Sequence, residues 1–225
     1  GLTTLLFVAL SAGLMADLLK IKSNIGNVLL GSAMIVFPSW VSSLFFMYIV
    51  PYFAVAVFMI VLGVYLCVNY KWGGICSIIL MACSMGIYQA YLPFAATLYV
   101  VLLLMRLFDD EEVMPVIRSA VYYFINIVLG VGLYFILTKL SLLVTGEELT
   151  QTKGIDTMGQ FDVSRISEIV KTIFRNITGV FCGNDLEISY NYAVRLMYLI
   201  LFLCSVYCVA RIIIRAYRRK EYLRC

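Results

Sequence analysis

Apolar runs of membrane-crossing length recur from one end of this chain to the other, and that recurrence excludes most folds before any motif is read. A helix needs about 20 apolar residues to cross a hydrocarbon core of about 30 Å, and runs of roughly 17–25 residues return repeatedly. They are continuous rather than alternating, unlike the strands of an outer-membrane barrel. The chain is 63% hydrophobic and 13% charged over 225 residues, against about 45–50% and about 25% in an ordinary soluble domain. No soluble interior of this size could hide so much apolar surface. The expected class is all-α: a polytopic transmembrane helical bundle of about seven spans, residues 1–225 forming one transmembrane domain.

Residues 2–19 read as the first span, closed by Lys20 and Lys22, with Asp17 near enough to reach the headgroups or pair with a lysine. The apolar stretch 25–70 is too long for one crossing. Phe37-Pro38-Ser39-Trp40 interrupts it, which predicts a short helix over 27–37, a hairpin, and a second helix over 44–70 that Pro51 kinks. Lys71-Trp72-Gly73-Gly74 reads as a tight basic turn, followed by helices over 75–87, 92–108 and 118–144. Residues 145–187 form the one long polar stretch, an expected extracytoplasmic loop within the domain. Inside it, over 163–180, Ile166, Ile169, Val170, Ile173, Phe174 and Ile177 recur at three- and four-residue steps, with Lys171 and Arg175 at other positions. That spacing predicts an amphipathic helix at the membrane interface or on the outer mouth of the bundle. A last span over 188–214 is followed by Arg215, Arg218, Arg219, Lys220 and Arg224.

Basic residues favour the cytoplasmic side, so the C-terminus is expected there, in the cell's cytoplasmic membrane. Counting spans backwards puts Lys20, Lys22, Lys71 and the loop from Arg106 to Arg118 on that same side. The polar turns around Pro38 and Tyr88 and the long loop then face outward. The chain opens on apolar residues at Gly1 without a methionine or a basic region, so it is expected to be a fragment of a longer protein.

The net charge of +4 sits at span ends, reporting topology rather than nucleic-acid binding. No histidine is present, and the seven cysteines form no C-x-x-C pair, so neither a metal site nor a cofactor is expected. Asp109-Asp110-Glu111-Glu112 reads as a solvated loop leading into a helix N-terminus, where negative charge is favoured. Chemistry-bearing residues concentrate instead at Ser84-Met85-Gly86-Ile87-Tyr88-Gln89-Ala90-Tyr91-Leu92-Pro93. Tyr88, Gln89 and Tyr91 put hydrogen-bonding tips where a bare span would carry Leu and Val. They are either aromatic belt residues capping two helices or the lip of a polar outer recess shared with Pro38 and Ser39.

With Phe37-Pro38-Ser39-Trp40, Gly86-Ile87-Tyr88-Gln89-Ala90 and the order of short spans in view, the chain resembles the type II branch of the O-antigen-modifying glucosyltransferase (Gtr) family. The resemblance covers residues 2–108 best. It implies a polytopic enzyme similar in plan to the GT-C membrane glycosyltransferases, taking a sugar, glucose for this family, from a polyprenyl-phosphate donor to a surface glycan acceptor outside the cytoplasmic membrane. It also implies a catalytic acid in an early outer loop, upstream of Gly1. Carried onto this chain are only Pro38, Gly86, Tyr88 and Gln89, as positions facing the outer recess. Ser39 beside them, and Lys171 and Arg175 on the loop helix, are the further candidates for substrate binding, and membrane lipids are expected partners throughout. The competing classes are a transporter or flippase, which would carry ionisable groups at mid-membrane, and a non-catalytic membrane subunit.

The topology has a direct check. In a variant whose other cysteines are replaced by serine, Cys76 should resist an impermeant thiol reagent added outside intact cells, whereas a cysteine introduced at Gln160 should react; the reverse pattern would invert the orientation.

Overall fold

The structure is a computed structural model that describes residues 1–36, 48–109, 113–146 and 166–182, with scattered positions between 192 and 214. It falls into two compact units, Gly1–Glu148 and Leu149–Cys225. Secondary structure among the described residues is helical throughout. The first unit holds α1 (Leu2–Leu18), α2 (Asn24–Val36), α3 (Val50–Asn69), α4 (Gly73–Ile87), a 3-10 turn (Gln89–Tyr91), α5 (Leu92–Phe108) and α6 (Val113–Thr145). Among the described residues three helices are long and apolar enough to cross a membrane, over Val50–Asn69, Gln89–Phe108 and Met114–Thr145, and Leu2–Leu18, Asn24–Ile35 and Gly73–Ile87 are shorter apolar helices.

Several boundaries differ from those expected. Pro51 does not kink a long helix; it stands in the first turn of α3, where its missing N–H costs no intrahelical bond. Gly73 and Gly74 already belong to α4, and the turn is only Tyr70–Trp72. At 33 residues α6 is about 50 Å long, beyond the thickness of a hydrocarbon core. The Pro38 and Ser39 hairpin lies outside the described residues, as does most of the expected last span.

α3 is the central element, buried along most of its length from Val50 and Ala54 through Ile60, Val61 and Val64 to Cys67. α1 packs on it with a stripe of Thr4, Val8, Ser11 and Met15, the i, i+4, i+7, i+11 spacing of one helical face, and Phe7 meets Phe58 at 5.3 Å. On its other side α4 presents small residues. Ser84 Oγ donates to the Ala56 carbonyl at 2.9 Å, and a Cβ on Gly73 would lie 1.7 Å from the Leu66 carbonyl oxygen. Such close approach is what binds helices where the hydrophobic effect gives little, because lipid tails are as apolar as leucine. α5 adds Ala95, Leu98, Tyr99 and Leu102 to the core, and Gly130 lets α6 settle on Met81, its Cβ position 3.2 Å from that side chain.

These contacts fix direction. Phe7 beside Phe58 and Asp17 beside Tyr65 run α1 and α3 in parallel, and Gly74 near Asn126 with Met81 near Gly130 does the same for α4 and α6. The C-terminal ends of α1 and α5 meet where Lys20 Nζ pairs with Asp109 at 3.1 Å. Lys20 thus reaches across the bundle rather than back to Asp17. Its backbone lies in the left-handed region at φ 53°, with the Lys20 N–H on the Asp17 carbonyl and the Ile21 N–H on the Ala16 carbonyl. That pairing closes α1 as a Schellman motif with lysine where glycine is usual.

The second unit holds α7 (Ile166–Cys182), the expected amphipathic helix shifted by two or three residues. Ile169, Val170, Ile173 and Phe174 lie together on an exposed apolar face. The positions described between 192 and 214 are all helical.

Glycine substitutions test the packing. Gly73→Ala drives a methyl group into backbone and should cost at least about 3 kcal/mol in a denaturation series. Gly132→Ala, which meets open space, should be neutral or stabilising by up to about 1 kcal/mol. Equal behaviour of the two variants would contradict the α3–α4 contact.

Candidate functional site

At one end of the first unit the chain turns from α4 into α5 through Tyr88, whose extended backbone (φ −157°, ψ 111°) ends α4 after Ile87. Its N–H still reaches the Ser84 carbonyl at 2.9 Å, so the helix end is satisfied. Gln89, Ala90 and Tyr91 form the 3-10 turn, and Pro93 pre-sets the first turn of α5. The reversal gathers an aromatic corner. Phe53 from α3 lies 5.1 Å from Tyr88 and 6.3 Å from Tyr91, and the two tyrosine rings meet edge to face at 5.3 Å. Tyr88 remains 48% exposed, so part of its side chain is accessible to a ligand. Gln89 donates from Nε2 to the Tyr134 hydroxyl of α6. That bond orients the amide and leaves its Oε1, which has no partner among the described residues, able to accept.

The structure therefore brings Gly86, Tyr88 and Gln89 to one corner, with open space where a Gly86 side chain would project. Phe53 and Tyr134 complete the corner, and sequence reading missed both. Phe53 sits four residues after Ile49 in an apolar run, and Tyr134 is 45 residues from its partner Gln89, so no local pattern pointed to either. Lys171 and Arg175 are exposed on α7, in the other unit. Pro38 and Ser39 lie outside the described residues. The described carboxylates of the first unit, Asp17 and Asp109, belong to its opposite end, and no cluster of metal-ligating side chains occurs among the described residues.

Residues 1–223 match the family model described as Glucosyl transferase GtrII. The chain belongs to the GtrII glucosyl transferase family. The match runs well past residue 108, up to which the sequence resemblance was clearest, and takes in α6 and all but the last two residues of the second unit. No curated protein and no solved structure matches the chain. Family and apolar helices together make this a membrane protein.

A second polar cluster lies inside this GtrII-family bundle, nearer the Lys71 end. The Asn126 carboxamide of α6, 3% exposed, accepts from Ser77 at 2.9 Å and from Tyr99 at 3.2 Å through Oδ1, and donates from Nδ2 to the Gly74 carbonyl at 2.9 Å. One side chain thus joins α4, α5 and α6. Tyr99 stacks on Tyr123 at 4.4 Å with rings 15° from parallel. All of these groups are neutral, so the cluster holds helices together without the desolvation cost of a buried charge.

Replacing Asn126 by Leu removes three hydrogen bonds and leaves Ser77 and Tyr99 without their shared acceptor. At roughly 0.6–1.7 kcal/mol per interhelical bond in a membrane protein, the loss should be about 2–5 kcal/mol in a detergent unfolding series. Tyr99→Phe, which keeps the stacked ring, should lose less than half as much.

Proposed function

We propose that this chain forms the membrane body of a glucosyltransferase, which moves glucose from a polyprenyl-phosphate donor to a surface glycan at the outer face of the cytoplasmic membrane. The observation that carries the reading is the GtrII family match across residues 1–223. In this arrangement the chain crosses seven times, residues 145–187 lie outside, and the C-terminus is cytoplasmic. The end of the first unit bearing Lys20, Lys71 and Arg106 is then the inner one, in keeping with the preference of basic residues for that side. The aromatic corner faces outward.

The chemistry of the reaction suits such a corner. Transfer breaks the bond between the anomeric carbon and the phosphate oxygen of the donor, and the acceptor hydroxyl forms the new glycosidic bond as it gives up its proton. The sugar must be held by groups that recognise an apolar ring face and its hydroxyl rim together. The accessible part of the Tyr88 side chain supplies a stacking surface, and the Oε1 of Gln89 accepts from a sugar hydroxyl. Pro38 and Ser39, expected from the sequence to share this recess, lie outside the described residues. The leaving polyprenyl phosphate takes up negative charge as the bond breaks, and a cation beside it is worth more in the transition state than before it. Lys171 and Arg175, exposed cations of the second unit on a helix whose apolar face suits the membrane interface, are proposed for that role on their charge alone. Asp17 and Asp109 take no part, since they stand at the inner end.

The test is sugar transfer from a polyprenyl-phosphate donor, normalised to protein amount. Gln89→Leu should leave membrane insertion nearly intact and lower transfer about ten- to a hundredfold, the cost of one lost hydrogen bond made in the transition state. Tyr134→Phe, which frees the amide without removing it, should fall between that variant and the parent. Unchanged normalised transfer in Gln89→Leu would take the corner out of the site.

A further inference from the structure

The first unit carries a groove of about 280 Å³ at the end opposite the aromatic corner, between the start of α4 and the flank of α6. The two lie about 22 Å apart along the fifteen residues of α4. Its walls are Ile75 and Ile78 on one side and Ile125 and Leu129 on the other, with Lys71 and Trp72 at its mouth. At its base stand Gly74 and Asn126. The absence of a side chain at Gly74 makes room there for the Tyr122 hydroxyl, which a Cβ would meet at 2.2 Å, so that Tyr122 of α6 lies close against the start of α4 in the groove lining.

Charge and shape together select an occupant. Lys71 is exposed and makes no hydrogen bond or ion pair among the described residues, whereas Lys20, the other lysine at this end with a resolved contact, is paired to Asp109. Trp72, 74% exposed beside it, has the amphipathic ring that settles at headgroup level. Below this cation and indole, the four aliphatic walls run along the direction of a lipid chain. We propose that the groove holds one anionic phospholipid of the surrounding bilayer, its phosphate on Lys71 and part of one acyl chain between α4 and α6. The volume is at the lower limit of a small-molecule site, about 300–1,000 Å³, and suits a single straight chain better than a methyl-branched prenyl chain. The lipid would extend the contact between α4 and α6, whose outward flanks at Ile75, Ile125 and Leu129 are exposed. The site is separate from the sugar-transfer corner and independent of that reading.

Tryptophan fluorescence reads the groove directly, because the chain has two tryptophans and Trp40→Phe leaves Trp72 alone. The full chain carrying Trp40→Phe is titrated in phosphatidylcholine vesicles with phosphatidylglycerol or phosphatidylcholine brominated on one acyl chain. Brominated phosphatidylglycerol should quench at roughly fivefold lower mole fraction than brominated phosphatidylcholine, the preference expected from one lysine at an anionic headgroup. Adding Lys71→Gln should abolish the preference while leaving the fold's circular dichroism unchanged, and adding Ile125→Phe, which fills the groove but keeps the cation, should reduce quenching by both lipids. Equal quenching by the two lipids in the parent, or an undiminished preference in Lys71→Gln, overturns the proposal. So does relief of quenching by millimolar inorganic phosphate, which would mark a site for soluble anions, or by a polyprenyl phosphate at lower mole fraction than phosphatidylglycerol, which would assign the groove to the donor. None of these readouts depends on glucose transfer.

Discussion

The closeness of α3 to α4 is the constraint on which the first unit rests. Gly73 lies so near the Leu66 carbonyl that no other residue fits, and Ser84 bonds the Ala56 carbonyl further along the same face. In a membrane, water gives no reward for burying leucine against leucine, so helices are held by contact area and by hydrogen bonds made across short gaps. A hairpin closed at both ends in this way presents α3 as a rigid centre to α1 and α5. The position of Phe53 follows from it. A looser hairpin would separate Phe53 from Tyr88 and Tyr91 and open the aromatic corner.

The polar cluster around Asn126 answers a different demand. α6 offers few buried apolar residues to the bundle, and most of its large side chains face outward. Packing alone gives it little purchase. Arg106 on Ser119, Asn126 on α4 and α5, and Gln89 on Tyr134 instead fasten it at three levels along its length. The outermost of these is also the bond that orients the Gln89 amide. A residue in the candidate site therefore shares its hydrogen-bonding capacity between ligand and scaffold: one N–H is committed to Tyr134, while the carbonyl oxygen and the second N–H have no partner among the described residues.

Much of this architecture was legible in the sequence because local rules decide it. Hydropathy alone located α5 over residues 92–108 and α4 to within two residues, and three- and four-residue periodicity found α7. Pro51 was misread because a proline inside a long apolar run signals a kink and a helix start equally well; only the turn at Tyr48 and Ile49 distinguishes them. The partners of Asn126 could not be read at all. They lie 27, 49 and 52 residues away, and nothing in an isolated asparagine says which neighbouring helix it will face. Gly86, Tyr88 and Gln89 were recognisable as a group because they are contiguous. Tyr134 and Phe53 were invisible for the opposite reason.

The two ends of the unit are chemically unlike, and that asymmetry bears on how one bundle would serve the proposed reaction at one face. At the Lys20 end the helices finish in cations, an exposed ion pair and the free Lys71; at the other they finish in tyrosines, a glutamine and a phenylalanine. A cation row suits fixed anionic headgroups and holds the protein's depth and orientation in the bilayer. It would be a poor surface for a sugar, which must arrive, be read by its hydroxyls and leave again. Neutral aromatic and amide groups bind such a ligand with enough specificity to orient it and too little charge to trap it. Because α4 reaches directly from one end to the other, the proposed anchor at Lys71 and Trp72 would set the depth at which Tyr88 and Gln89 meet the interface, within the rise of fifteen residues.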